Sequence, residues 1–432
     1  MIIVAILFLI LYSLFCIRSP KCGIICSLFL FLPIQGTIKY VFFSSGATIF
    51  ALWKEVGILV LFLKAFKKND SRTREIFCVF SILFFYSLFF LVLGKVEGLD
   101  VNERVKTIFF PCLLTIAVAK SNFTQKDIKQ MILCVLVGSL IINISGLIDF
   151  FSNPLRMMFR QLVGATYKEA ADGTIYYDRS SYAIMGLNRV CGLMYGGPNQ
   201  MGVYNSVVST ICVMALLFFK SLLKSDLLKK FFFVCFFLSI FCLLTSFSRA
   251  GWLMFLITFL YVGLSKANYR PLIIKLALIG VVVFFVVFLA VPEVRTVVEG
   301  SLSGKEASSA ARASMTISAL DFLYNHPLGL GFGASAHGAA FAESSLINIG
   351  VDIGVAGLLI LVFLLFVIYR RNKKMIRRNA FASACAGFTL AYTIVSFVSV
   401  NPFETPCIYF SWFLMGFGLA TVDLQQPKNF VI

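Results

Sequence analysis

The chain has 432 residues, of which 59% are hydrophobic, 15% aromatic and only 13% charged, with a mean hydropathy of +0.92. Soluble domains carry about a quarter charged residues and less apolar content, so this composition excludes one, along with disordered, collagenous and small disulfide-rich chains. The formal net charge of +18 does not mark a nucleic-acid binder: Lys and Arg gather in short clusters between apolar segments, with no basic stripe interleaved with aromatics. What is left is an all-α polytopic integral membrane protein, because the continuous Phe-, Leu- and Ile-rich runs lack the alternation of barrel strands.

In chain order, apolar runs predict spans at 2–17, 22–34, 41–63, 76–94, 105–119 and 128–150, then at 198–219, 231–247, 249–265, 272–291, 345–369, 380–400 and 407–423. That is 12 or 13 transmembrane helices, since the first two runs are short and parted only by Arg18-Ser19-Pro20-Lys21. The first run has no basic n-region and no small-residue cleavage site, so a retained helix is expected. Basic clusters at Lys64, Lys67, Lys68, Arg72 and Arg74, at Lys220, Lys224, Lys229 and Lys230, and from Arg370 to Arg378 mark cytoplasmic loops, with a cytoplasmic C-terminus. Residues 1–432 read as one membrane domain with two long external loops, 151–197 and 292–344. Neither loop is large enough to fold alone, so both are expected to pack on the bundle and to place any chemistry at the external face. The 12 cysteines lie mostly within apolar runs and read as filler, none at a zinc-site spacing; Cys191 alone is a redox candidate.

Several polar residues need a reason. In the second loop, Ser308 to Leu323 reads as a short amphipathic helix along the membrane surface, stopped at Asn325-His326-Pro327. The run Leu328-Gly329-Leu330-Gly331-Phe332-Gly333 fits plain loop geometry or a phosphate cradle. His326 and His337 are the only two histidines. The first, beside Pro327, reads as structural or substrate-facing, and the second, among small residues, as a proton-transfer candidate.

Arg249 interrupts two apolar spans with no room for a loop. A guanidinium in the bilayer costs at least ~2.5–3.5 kcal/mol, so it calls for a partner or a task, unless it snorkels beside Trp252. Arg189 precedes a Gly-Gly-Pro-Asn turn whose Asn199 is expected to cap the next span. Arg179 lies in the same loop and joins Arg189, Asn199 and His326 as a substrate-binding candidate. Arg189, Arg249 and Arg312 at the external ends of different segments suit a phosphate or pyrophosphate, with lipid-linked pyrophosphate the amphipathic candidate. Interspersed Asp178, Glu306, Asp321 and Glu343 argue against a general anion pore.

Two stretches resemble the O-antigen ligase/polymerase superfamily. One is 189–260, with Arg189, Gly192, Pro198-Asn199 and Ser248-Arg249-Ala250. The other is 307–360, with Arg312, His326-Pro327-Leu328-Gly329-Leu330-Gly331 and the Gly350 to Gly357 segment. The resemblance implies a GT-C-type fold, a periplasmic active site in the bacterial inner membrane, no metal or other cofactor, and pyrophosphate held by Arg249 and Arg312. Ligases of the superfamily carry a His-Asn pair ahead of the following Gly-x-x-Gly; here Glu343-Ser344 stands in that place. His337 or Glu343 is then the expected base, and the departure favours the polymerase branch. The implied activity is transfer of the growing glycan from its undecaprenyl-pyrophosphate carrier onto a new lipid-linked repeat unit. The expected partners are the lipid-linked oligosaccharide, membrane lipid and a chain-length regulator. A ligase moving polymer to lipid A core, and from another class a lipid-linked oligosaccharide flippase, are the alternatives. A flippase fits less well, because transporters bind at the midplane between internal repeats.

Overall fold

A computed structural model describes residues 2–42, 50–66, 71–93, 99–162, 167–169, 175–177, 183–184, 187–218, 226–265, 307–336, 341–376 and 381–423, with isolated positions between 270 and 299. A helix stands at every predicted span except 272–291, where only those isolated positions are described. Among the described residues, five helices are long and apolar enough to cross a membrane: Pro20–Lys39, Thr73–Leu91, Gln125–Phe151, Leu228–Thr245 and Ser345–Met375. Outer helices expose Phe85, Phe89, Phe237, Leu256, Phe363 and Phe366, a band that water would not tolerate and lipid does. The chain is an all-α polytopic membrane protein. Its strands among the described residues are short pairings: 122–124 with 421–423 in parallel, and 167–169 with 175–177 and 183–184 with 187–188 antiparallel.

The centre of the bundle is the Cys407–Phe417 helix, in which every residue is buried. A helix apolar on all sides belongs inside, and this one is gripped along its length. Thr115 Oγ1 donates to Trp412 O at 2.7 Å, Trp412 Nε1 donates to Tyr392 OH at 3.0 Å, and Phe29 stacks on Phe410. Gly416 lies so close to the Leu99–Lys120 helix that a Cβ there would fall 2.6 Å from Thr115 O.

The two ends of the bundle differ in kind. At one end the segments read as cytoplasmic are tied together. Lys21 pairs with Asp127 and donates to Asn122 O at 2.8 Å, Lys64 donates to Ile17 O, and Arg370 and Arg371 reach Glu75 at 2.6 and 3.0 Å. The opposite end gathers the segments read as external. There the Asn153–Leu162 helix folds back on Asp149, and the Ala307–Asn325 helix lays Ala319 and Leu323 on the start of Ser345–Met375, with Leu323 against Gly350. The one helix described in each long loop therefore packs on the bundle.

Candidate functional site

Arg249 opens the Arg249–Ser265 helix directly after a three-residue turn from the Asp226–Thr245 helix. Within that turn Phe247 has φ +48°, the only positive value for a non-glycine residue among the described ones. A bulky aromatic pays roughly 1–3 kcal/mol for such a conformation, so the surroundings must impose it. Ser248 Oγ accepts from Gly251 N at 3.3 Å, capping the helix, and donates to Asn199 O at 3.2 Å. Gly251 meets Gly202 backbone to backbone: a Cβ at 251 would lie 2.4 Å from the Gly202 carbonyl carbon. Trp252 is fixed by its own bond, Nε1 to Leu243 O at 2.7 Å. Arg249 is thereby set, exposed, at the positive pole of a helix, where an anion would be favoured by both the guanidinium and the terminal amides.

Arg189 lies beneath this turn. It is buried, with Nε donating to Ser246 O at 2.9 Å and Nη2 to Asn199 Oδ1. Both bonds hold the strained turn against the neighbouring helix, so Arg189 positions Arg249. Asn199 stands two residues inside the Gly197–Phe218 helix, and its side chain serves Arg189 instead of capping. A layer further in, Asp149 accepts from Cys191 N at 2.8 Å, Gly192 N at 3.0 Å and Arg160 Nη2 at 3.1 Å. Arg160 in turn donates to Arg189 O at 2.7 Å. Sequence reasoning missed this buried pair, although a lone acid inside an apolar run was a usable signal. The redox expectation for Cys191 fails, because its sulfur is buried against Arg160 and burial pushes the thiol up to about 12.

The facing wall comes from the C-terminal helices. Ser344 caps Ser345–Met375 by accepting from Ile347 N at 3.3 Å and donates to Ser396 O at 3.2 Å, while Ser345 Oγ donates to Ser399 O and Val400 O. These bonds bring Glu343 beside the 399–406 loop. There Gln200 Nε2 donates to Glu404 Oε2 at 2.9 Å and to Asn401 O at 3.0 Å. Glu404 keeps exposed surface within this loop. Burial raises its pKa above the usual carboxylate value; Gln200 and Arg104 counter this, while the nearby Glu343 charge adds to it.

The glycine run is a backbone clasp. Leu330 N donates to Val351 O at 3.1 Å and Gly331 N to Asp352 O at 2.8 Å, supplying carbonyls freed where Ser345–Met375 kinks at Ile353–Gly354. A Cβ on Gly329 would fall 2.4 Å from Gly354 N, and Gly354 itself has φ +74°. With those amides consumed, the loop cannot cradle a phosphate through them. Next to it, Ser335 N donates to Asp352 Oδ1 at 2.8 Å, and Arg104 reaches Ser335 Oγ at 3.0 Å and Asp352 at 3.6 Å.

His326 is exposed at the end of Ala307–Asn325, its ring 4.6 Å from that of Phe322. Arg312 occupies the second turn of the same helix. Arg179 and His337 lie outside the described residues. The structure thus joins Arg189, Asn199 and Arg249 in one network. It adds Gln200, Glu404 and Arg104 around Glu343, none of which sequence reasoning singled out.

Residues 234–362 match the family model described as O-antigen ligase. This match supports the resemblance of the chain to the O-antigen ligase/polymerase superfamily over that segment. Members of that superfamily are glycosyltransferase-like membrane enzymes, and this chain, too, is a multi-pass membrane protein. The matched segment carries Arg249, Arg312, His326, the glycine clasp, Glu343 and Asp352. It leaves out Arg104, Arg189, Asn199, Gln200 and Glu404, so one wall of the site lies outside it. No curated protein matches the chain.

Proposed function

We propose that this protein is an O-antigen or surface-polysaccharide polymerase of the bacterial inner membrane, acting at the periplasmic face on undecaprenyl-pyrophosphate-linked glycan. The observation that carries the reading is Arg249, exposed at a helix N-terminus by a strained turn, at the same end of the bundle as the Glu343 and Glu404 carboxylates. Arg249, joined by Arg312, holds the donor pyrophosphate and neutralises the charge that develops on it as it leaves. A hydroxyl of the incoming lipid-linked unit attacks the anomeric carbon. The new C–O bond forms, the bond from that carbon to the phosphate oxygen breaks, and the electron pair departs with the lipid pyrophosphate. The hydroxyl proton passes to the carboxylate pair, where a raised pKa makes Glu404 the stronger base. Glu343 in place of the ligases' His-Asn pair favours polymerase over ligase, and a chain-length regulator is the expected companion.

The deciding experiment is a lipopolysaccharide gel from cells lacking the gene, complemented with wild type or Arg249→Ala. Core bearing one repeat unit, with the ladder restored only by wild type, is the expected result. Loss of every repeat with lipid-linked polymer accumulating would make the protein a ligase. Single lipid-linked units trapped at the cytoplasmic face would make it a flippase.

A further inference from the structure

Three of the twelve cysteines meet at the end of the bundle opposite Arg249, beside the Lys21–Asp127 pair. Cys22 and Cys26 stand one turn apart on the Pro20–Cys26 helix, and Cys134 comes from Gln125–Phe151. Cys26 Sγ lies 3.9 Å from Cys22 Sγ and 3.8 Å from Cys134 Sγ. Gln130, one turn before Cys134, lays its amide on the group, Nε2 donating to Cys22 Sγ at 2.6 Å and to Cys26 Sγ at 3.6 Å.

The local sequence brings these sulfurs together. After Cys26 the chain widens into a π turn over Ser27–Phe31, and Gly138 admits the Phe29 carbonyl so closely that no Cβ would fit at 138. Gly138 lies one turn beyond Cys134, so this backbone contact sets Cys134 against Cys26. The approach is polar as well. Gln130, Cys22 and Cys26 are half-buried, with Lys21 and Asp127 alongside, so a small oxidant that hydrogen-bonds as water does can reach the pair.

The two sulfur contacts differ in what they permit. Residues four apart on a helix hold their Cβ atoms about 5–6 Å apart, beyond the roughly 3.5–4.5 Å of a disulfide, so Cys22 and Cys26 cannot bridge without unwinding the helix. Cys26 and Cys134 belong to different helices and carry no such restraint, and the π turn after Cys26 gives its backbone room to adjust.

We propose that Cys26 and Cys134 form a redox-modification site, a thiol pair that hydrogen peroxide converts to a reversible disulfide. One sulfur, as thiolate, attacks a peroxide oxygen: the S–O bond forms, the O–O bond breaks, and the leaving hydroxide departs as water with the thiol's proton. That sulfur is now a sulfenic acid, oxidised by two electrons at the peroxide's expense. The second thiolate attacks it, the S–S bond forms, the S–O bond breaks and a second water leaves. A disulfide at the end read as cytoplasmic is a transient, signal-type bond, because thiol reductants there reopen it. The site is independent of the glycan chemistry at the other end.

The test uses the full chain in native membranes, exposed to hydrogen peroxide and alkylated with N-ethylmaleimide before and after dithiothreitol, with peptides identified by mass spectrometry. Loss of alkylation at Cys26 and Cys134 together is expected, with a cross-linked peptide joining them that dithiothreitol abolishes. Cys22→Ala, with its unfolding midpoint measured to confirm that it folds, is expected to form the same cross-link. Both cysteines still alkylated at a peroxide dose that oxidises glutathione in a parallel sample would overturn the proposal. So would a bond from Cys26 to Cys22 in wild type, or loss of the Cys26–Cys134 cross-link in a folded Cys22→Ala.

Discussion

At the scale of single residues, the carboxylates beside Gln200 make a sharp prediction. Glu404→Gln should lower the transfer rate by about 10²–10⁴-fold while leaving binding of a pyrophosphate lipid unchanged, as removal of a general base does. Working the sign through, a base must be deprotonated, so activity falls as pH drops through its raised pKa. The Glu343 charge adds to that rise, so Glu343→Gln lowers it and moves the acid limb of the pH–rate profile to lower pH. A rate profile of the purified enzyme checks both; a limb that stays in place would remove Glu404 from the chemistry. Arg249 and Glu343 could be singled out from the sequence, the first because a guanidinium inside an apolar stretch is conspicuous, the second because the resemblance to the ligases implies a His-Asn pair in its place. Glu404 was not, since Asn401-Pro402-Phe403-Glu404 reads as an ordinary turn, and only the fold brings Gln200 to it.

At the scale of elements, the crossing of Gly197–Phe218 with Arg249–Ser265 fixes the guanidinium. Gly251→Ala places a methyl against backbone that has no rotamer to yield, an overpacking worth about 1–3 kcal/mol. Thermal unfolding in detergent should show a lowered midpoint, and the polymer ladder should be lost. Leu253→Ala, on the lipid-facing side of the same helix, should change neither. Hydrophobic runs alone located nearly every helix, because the bilayer demands continuous apolar length. They did not show where a helix breaks within such a run. The kink at Ile353–Gly354 follows Asp352 inside one helix, and the glycine clasp arriving from another segment takes up the carbonyls freed there. The same clasp turns a run that suits a phosphate cradle on sequence grounds into structural backbone.

At the scale of the whole molecule, the grouping of loops at two ends was readable from basic clusters, and the ion pairs Lys21–Asp127 and Arg371–Glu75 join segments assigned to one side. What the sequence could not reveal is which span sits at the centre. Cys407–Phe417 is apolar on all sides, which suits the interior, but only the fold shows how closely Gly416 lets the Leu99–Lys120 helix approach it.

The shortness of that central helix has a consequence for where the chemistry happens. Eleven residues at about 1.5 Å each rise only about 16 Å, against roughly 30 Å of hydrocarbon. The strand at 421–423 is paired at the basic-loop end, so the other terminus of this helix, shorter than the hydrocarbon is thick, carries the Glu404 loop at the opposite end. A spin label at Thr405 should therefore be relaxed by a water-soluble agent yet report a depth below the lipid phosphates. On the proposed function, a sugar would have to leave the solvent its hydroxyls prefer and descend to these carboxylates before it could be joined to another.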